Sequence, residues 1–234
     1  MMFRWDRPPR VVGHRGNPSE APENTLASFA AAKACGAPAI ELDVRVTRDG
    51  QLVVHHDAQL GRVFGGEGLV EELTLAQLRG MACHAKPGER IPTLTEVLSS
   101  FDGLVDVEIK ADAENAAMAP DKVLRAVKDA DALDRVLVTS FDAEIADAYA
   151  AVSGRPAGLI YPFPPDEEDL AAWPRLGFVA LAADACEAMV IESMRRANRR
   201  VLAWTVNDVE MARSLLKEGV DTIITDKPAA MAGL

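Results

Sequence analysis

The chain has 234 residues, of which 49% are hydrophobic and 26% charged. That balance suits one globular domain with a sizeable core and excludes a disordered, collagen-like or coiled-coil chain. Its 25 Lys and Arg against 36 Asp and Glu give a net charge of −11, which counts against non-specific binding to nucleic acid or to an anionic membrane.

Taken in chain order, the opening MMFRWDRPPR carries arginines with no apolar stretch after them. The expectation is a cytoplasmic chain without a secretory signal. No apolar run reaches the length of about 18 residues that a spanning helix needs. Strands are predicted over 11–13, 39–43, 105–109, 136–140, 158–161, 179–182, 201–205 and 222–225, eight in all. Alanine-rich amphipathic helices are predicted over 25–35, 93–101, 121–133, 143–152, 167–173, 187–198 and 209–218. Strand–helix alternation implies parallel strands joined by crossover helices. Eight such units fit an α/β fold closed as a (β/α)₈ TIM barrel, one domain over 1–234. Asn24 or Thr25 is placed to cap the first helix, and Gly36 and Gly219 follow helices where glycine is favoured.

Two stretches break the rhythm. The run 51–56 alternates and is expected to form a short extra strand. The segment 58–90 is glycine-rich, then acidic, then weakly helical. It is too long for a plain loop and is expected to be a cap-like insertion with small structure of its own. Pro162, Pro164 and Pro165 make a rigid loop. Cys35, Cys83 and Cys186 are scattered and odd in number, as expected of buried free thiols.

In such a barrel, chemistry collects at the C-terminal ends of the strands. Glu41 and Asp43 stand at i, i+2, so both point to one face of their strand, about 7 Å apart. Ile40, Leu42 and Val44 take the other face, which leaves the carboxylates pointing into the barrel. Glu108 repeats the pattern one strand later, between Val107 and Ile109. Inward carboxylates resist desolvation and need a compensating cation. A hard divalent cation answers that need, and so does an ion-pair network using Arg45 or Lys110. His14 ends the first strand. Of the adjacent His55 and His56, one points in and one out, so at most one serves chemistry. His84 falls in the insertion and is expected at the surface. Arg15, flanked by Gly13-His14 and Gly16, is placed to grip an oxyanion with two hydrogen bonds, and Lys110 shares the face of Glu108. A metal, two histidines, an arginine and a lysine suit attack on a phosphate ester.

Ten segments then stand in a familiar order. They are GHRG at 13–16, APENTLASF at 21–29, IELDV at 40–44, TRDGQLVV at 47–54 and HD at 56–57. They continue with IPTLTEVL at 91–98, VEIK at 107–110, SFD at 140–142, WTVN at 204–207 and GVDTIITDKP at 219–228. Over nearly its whole length the chain resembles the glycerophosphodiester phosphodiesterases, in particular their short bacterial members. The resemblance implies a TIM barrel with a small insertion after the second strand. It implies Glu41, Asp43 and Glu108 as ligands of one divalent cation, Mg²⁺ or Ca²⁺. It implies His14 and His56 as general acid and base, Arg15 and Lys110 as phosphate contacts, and Trp204 as an apolar wall beside the glycerol. Asp57 is implied as an orienting carboxylate. Asn24 is implied as a support for the site, with the helix-cap reading standing beside it, and His55 has no implied role. The implied reaction is hydrolysis of a glycerophosphodiester to sn-glycerol 3-phosphate and an alcohol. The implied partner is that small-molecule substrate, with no nucleic acid and no membrane span, in a monomer or homodimer. The insertion supplies none of these groups, so its expected part is substrate choice. A phospholipase C/D-type phosphodiesterase on the same barrel, acting on lipids, is the alternative reading.

Overall fold

Ile40, Leu42 and Val44 lie on one side of their strand and Glu41 and Asp43 on the other, and that alternation organises the whole computed structural model. Residues 4–234 are described, so the start of the segment read for a signal lies outside the described residues. The strands are β1 (Val11–Gly13), β2 (Ala39–Val46), β3 (Leu52–Val54), β4 (Leu104–Ile109) and β5 (Val136–Ser140). They continue with β6 (Ala157–Tyr161), β7 (Leu176–Ala182), β8 (Arg200–Trp204) and β9 (Thr222–Thr225). Among the described residues these nine form one sheet in the order β1-β9-β8-β7-β6-β5-β4-β2-β3, and pairing of Gly13 with Ile40 closes it. Eight strands run parallel around the barrel, and β3 alone is antiparallel, on β2. This is the expected TIM barrel with one extra strand.

The helices are α1 (Leu26–Ala34), α2 (Leu75–Arg79), α3 (Leu94–Ser100), α4 (Ala119–Asp129), α5 (Ala143–Ser153), α6 (Glu167–Ala172), α7 (Ala188–Arg196) and α8 (Val209–Glu218). All but α2 connect strands of the barrel. The structure differs from the expected boundaries where tertiary pairing takes over. β2 runs past Asp43 to Val46 because Val44 and Val46 continue as a ladder with Val54 and Leu52 of β3. α4 starts at Ala119, since Pro120 in the first turn costs the helix no hydrogen bond. Thr25, not Asn24, caps α1: its side chain accepts from the Ser28 amide.

The outward faces of β2 and β4, with Val105, Val107 and Ile109, pack against helices that carry Phe29, Leu94, Val97 and Val123. A second layer fills the barrel itself: Val12, Ala39, Leu104, Leu137, Ile160, Phe178, Leu202 and Ile224, all buried. Trp5 closes the N-terminal end of this layer at 0% exposure. Its indole donates to the Arg135 carbonyl and its ring meets Phe178 edge-on at 6.3 Å. Full burial of one such side chain is worth about 1.5–3 kcal/mol, so the lower half of the barrel is apolar and stable while the upper half is left for charge.

The 58–90 segment has a small core of its own. Leu60, Phe64, Val70, Leu78 and Cys83 pack against Val53 of β3 and Ile91. A capping box between Thr74 and Gln77 starts α2 within it. Of the three free cysteines, Cys83 and Cys186 are buried and Cys35 is half-exposed, which corrects the expectation for one of them.

Candidate active site

The turn after β1 is built for close approach. A Cβ on Gly13 would stand 2.2 Å from the Gly16 carbonyl oxygen, and one on Gly16 would stand 2.5 Å from Ser28 Oγ. Arg15 between them takes a left-handed φ of 53°. This conformation aims its amide at Glu41, where N–H donates to Oε2 at 2.9 Å. The 21–29 stretch holds the turn from behind: Ser28 Oγ donates to the Arg15 carbonyl at 2.8 Å. Asn24, itself at φ 56°, donates from Nδ2 to Asp43 Oδ2 at 2.7 Å. Asn24 therefore holds Asp43, and the cap belongs to its neighbour.

Glu41, Asp43 and Glu108 converge as the alternation requires, with one oxygen from each within 4.8 Å of the others. All three are buried. Asp106 joins them on the same inward face of β4; it is 1% exposed and accepts from Thr139 Oγ1 at 2.9 Å. The sequence reading passed over Asp106, although its i, i+2 relation to Glu108 is the signal used for Glu41 and Asp43.

Two cations face these four carboxylates. Lys110 Nζ stands 2.8 Å from Asp43 Oδ1 and also donates to Glu108. Arg15 Nε lies 3.4 Å from Asp43 Oδ2. Arg45, a candidate for the compensating network, is turned elsewhere: it grips Asp112 and donates twice to the His56 carbonyl. The electrostatics split accordingly. Burial opposes ionisation of Asp43, yet Lys110 and Arg15 hold its pKa well below the usual carboxylate range. Burial, then repulsion by Asp43, pushes Glu41 upward. The same two causes raise Glu108 to about 7. Burial raises Asp106 to about 8, against the hydrogen bond from Thr139.

Donor chemistry allows a test of metal fit. Glu41 Oε1 is buried with no hydrogen-bond partner among the described residues. Glu41, Glu108 and Asp106 are all pushed upward while Lys110 and Arg15 favour Asp43, the pattern of carboxylates that lack a further cation. A cluster of hard carboxylate oxygens short of positive charge fits Mg²⁺ or Ca²⁺.

Both candidate histidines are oriented in the same manner. His14 Nδ1 is 2.6 Å from Asp226 Oδ1, and Nε2 lies on the Glu41 side at 3.9 Å from Oε2. His56 Nδ1 is 2.7 Å from Asp57 Oδ1. A carboxylate on Nδ1 fixes the tautomer and presents Nε2. Both rings line one cavity of about 110 Å³ with Arg15, Glu41, Asp106, Glu108, Lys110, Phe141 and Trp204. Burial, which outweighs attraction to Asp43, lowers the pKa of His56. Trp204 walls the cavity, with Phe141 edge-on to it at 5.7 Å.

His55 is turned away, 1% exposed, with its ring 6.0 Å from that of Phe64. His84 is exposed, its Nε2 3.1 Å from the Gly61 carbonyl. Asp226 and Asn207 stand in the 219–228 and 204–207 segments without a role of their own in the sequence; in the structure Asn207 Nδ2 donates to Asp226 Oδ2 at 2.7 Å. The 58–90 segment reaches the rim through one side chain and supplies none of the groups named above. Its Arg62 donates from Nε to Asp57 Oδ2 at 2.6 Å and from both Nη atoms to Glu23 at 2.7 and 2.8 Å.

Residues 14–230 match the model of the glycerophosphoryl diester phosphodiesterase family. The chain belongs to this family of phosphoric diester hydrolases. A glycerophosphodiester phosphodiesterase of Caldanaerobacter subterraneus is 33% identical, and the alignment covers 96% of each chain. One from Bacillus altitudinis is 32% identical over 94% of this chain and 95% of its own. Among solved structures, an Oleispira antarctica phosphodiesterase in complex with its product sn-glycerol-3-phosphate superposes with a TM-score of 0.87 at 26% identity, covering 95% of both chains. Among the described residues no helix is long and apolar enough to cross a membrane.

Proposed function

We propose that the chain hydrolyses glycerophosphodiesters to sn-glycerol 3-phosphate and an alcohol, with a divalent cation held by Glu41, Asp43 and Glu108. The observation that carries this reading is the pair of carboxylate-anchored histidines facing one cavity beside the acidic cluster. The named relatives and the product bound in the Oleispira antarctica structure support the substrate class. The substrate is a small molecule, and 58–90 serves as a cap on a single barrel domain.

When bound, the cation supplies Lewis-acid stabilisation of charge on the phosphoryl oxygens. Lys110 and Arg15 add fixed positive charge around the same oxygens, and the Arg15 guanidinium can meet two of them in one plane. Trp204 and Phe141 cover the carbon skeleton and exclude water. One histidine accepts a proton at Nε2 from the attacking hydroxyl as its oxygen bonds to phosphorus. That hydroxyl is water's, or the glycerol's own, in which case water opens the cyclic ester in a second step of the same kind. The other histidine delivers a proton from Nε2 to the oxygen of the leaving alcohol. Asp226 and Asp57 stabilise the imidazolium forms that arise during this exchange.

The test is a matrix of glycerophosphocholine, -ethanolamine, -glycerol and -inositol, each with Mg²⁺, Ca²⁺, Mn²⁺ or chelator, read by released glycerol 3-phosphate. Cation-dependent release from at least one diester is expected. Absence of release from all four under every cation would overturn the reading.

A further inference from the structure

Arg62 stands between Leu60 and Phe64, and both are buried in the small core of the 58–90 segment. The backbone around it is tied down as well: Leu60 N donates to the Gly68 carbonyl, Gly61 N to that of Phe64, and His84 N to that of Val63. An arginine anchored in this way projects from a fixed point. It meets two carboxylates, and each has a second partner in the catalytic cavity. Asp57 holds His56 Nδ1 through Oδ1 while Oδ2 accepts from Arg62. Glu23 accepts from Arg15 Nη1 at 2.8 Å through the same Oε1 that accepts from Arg62 Nη2. One guanidinium thus ties the acid–base histidine to the arginine of the oxyanion turn.

We propose that Arg62 is a positioning residue that orients His56 through Asp57 and Arg15 through Glu23, so that packing of the 58–90 segment completes the catalytic site. The Arg62 side chain is 48% exposed. Ion pairs at that exposure contribute little to stability, and what a planar guanidinium adds is direction. Glu23 and Asp57 are less exposed, at 18% and 28%. Burial disfavours charge on Glu23, yet hydrogen bonds from Arg62 and Arg15 keep its pKa below the usual carboxylate value. Neither Lys nor Gln at position 62 reproduces the fork. An ammonium is a point charge without a planar array, and an amide donates from one nitrogen.

The inference rests on the proposed hydrolysis, and the experiment separates the two. Wild type, Arg62→Ala, Arg62→Lys, Glu23→Gln and Asp57→Asn are assayed on the best glycerophosphodiester of the matrix. Binding of sn-glycerol 3-phosphate is measured by calorimetry and the Tm is recorded. Arg62→Ala should lower kcat by about 10-fold or more, within the range for impaired acid–base catalysis, and weaken glycerol 3-phosphate binding, with the Tm nearly unchanged. Glu23→Gln should act mainly on KM and product binding, and Asp57→Asn mainly on kcat. In the Asp57→Asn background Arg62→Ala should cost little further kcat. Arg62→Lys should recover less than half of the loss, and added methylguanidinium should restore turnover of Arg62→Ala. Should Arg62→Ala not fold, the Lys variant and the two carboxylate variants read the same split. An inactive wild type defeats the hydrolysis reading. An active wild type with unchanged kcat and product binding in Arg62→Ala, or in Arg62→Lys and both carboxylate variants, overturns the positioning role alone. Additive losses in Asp57→Asn/Arg62→Ala overturn it too.

Discussion

His14 and Asp226 are 212 residues apart in sequence and 2.6 Å apart in space. Closure of the barrel brings them together, because β1 pairs with β9 and each residue directly follows its strand. Asn207 then fixes the carboxylate from the end of the neighbouring β8, and its Oδ1 accepts from the Asp226 amide. One of the two histidines is therefore set by the seam of the sheet, and the other by the residue beside it.

Asp226→Asn should keep the ring in place and unsettle its tautomer. Turnover should fall about 10-fold or more, short of the loss in His14→Ala. His14→Ala and His56→Ala should each cost about 10²–10⁴-fold, the scale of a general acid or base. Steady-state kinetics on one glycerophosphodiester check all three, and full turnover in either alanine variant would remove that histidine from the mechanism.

His55→Leu should leave turnover nearly unchanged and alter the pH dependence of stability. Burial, the largest cause, depresses the His55 pKa from 6.5 to about 4. Between those values the unfolded chain binds a proton that the folded chain refuses, so this residue costs stability as pH falls from 6.5 toward 4. The slope from one such group is at most about 1.4 kcal/mol per pH unit. Urea unfolding at pH 7, 6 and 5 should show wild type losing more stability than His55→Leu. Parallel losses would show that His55 titrates alike in both states.

Glu41→Gln, Asp43→Asn and Glu108→Gln should each weaken divalent-cation binding, because an amide oxygen carries no charge to balance the ion. Calorimetric titration with Mg²⁺, Ca²⁺ and Mn²⁺ measures this without any assay of turnover. Wild type should also lose activity in excess chelator and regain it on cation addition. Undiminished turnover after exhaustive chelation would exclude a catalytic metal.

Arg15→Lys should be costly despite conserving charge. Arg15 reaches Glu23 and Asp43 at once, and a lysine offers one point charge in place of a planar pair of donors. Binding of glycerol 3-phosphate should weaken about 10-fold or more, the scale of one charge-assisted hydrogen bond. Wild-type binding in Arg15→Lys would place this side chain outside the phosphate site.

Much of the site was legible because a strand has a period of two. The positions of Glu41, Asp43 and Glu108 follow from it, and so does the division of His55 from His56. Asp106 obeyed the same rule and was missed, since one carboxylate in VEIK had already filled the expected role. The His14–Asp226 contact depends on which strands close the barrel, and no local spacing encodes that. Arg62 lies in a stretch with no periodicity, so its direction is set by the way Leu60 and Phe64 pack. Strand and helix identities were plain from alternation, while the ends moved where a neighbour extended them, as β3 extends β2.

Trp5 seals one end of the barrel, and this decides the traffic through the enzyme. With that end filled, the cavity opens away from Trp5, toward the C-terminal ends of the strands. The opposite rim, where the strands end, carries His14, His56, Phe141 and Trp204 around the cavity. On the proposed reaction, glycerol 3-phosphate held in that cavity would occupy the space that fresh substrate needs, so product inhibition competitive with the diester is expected.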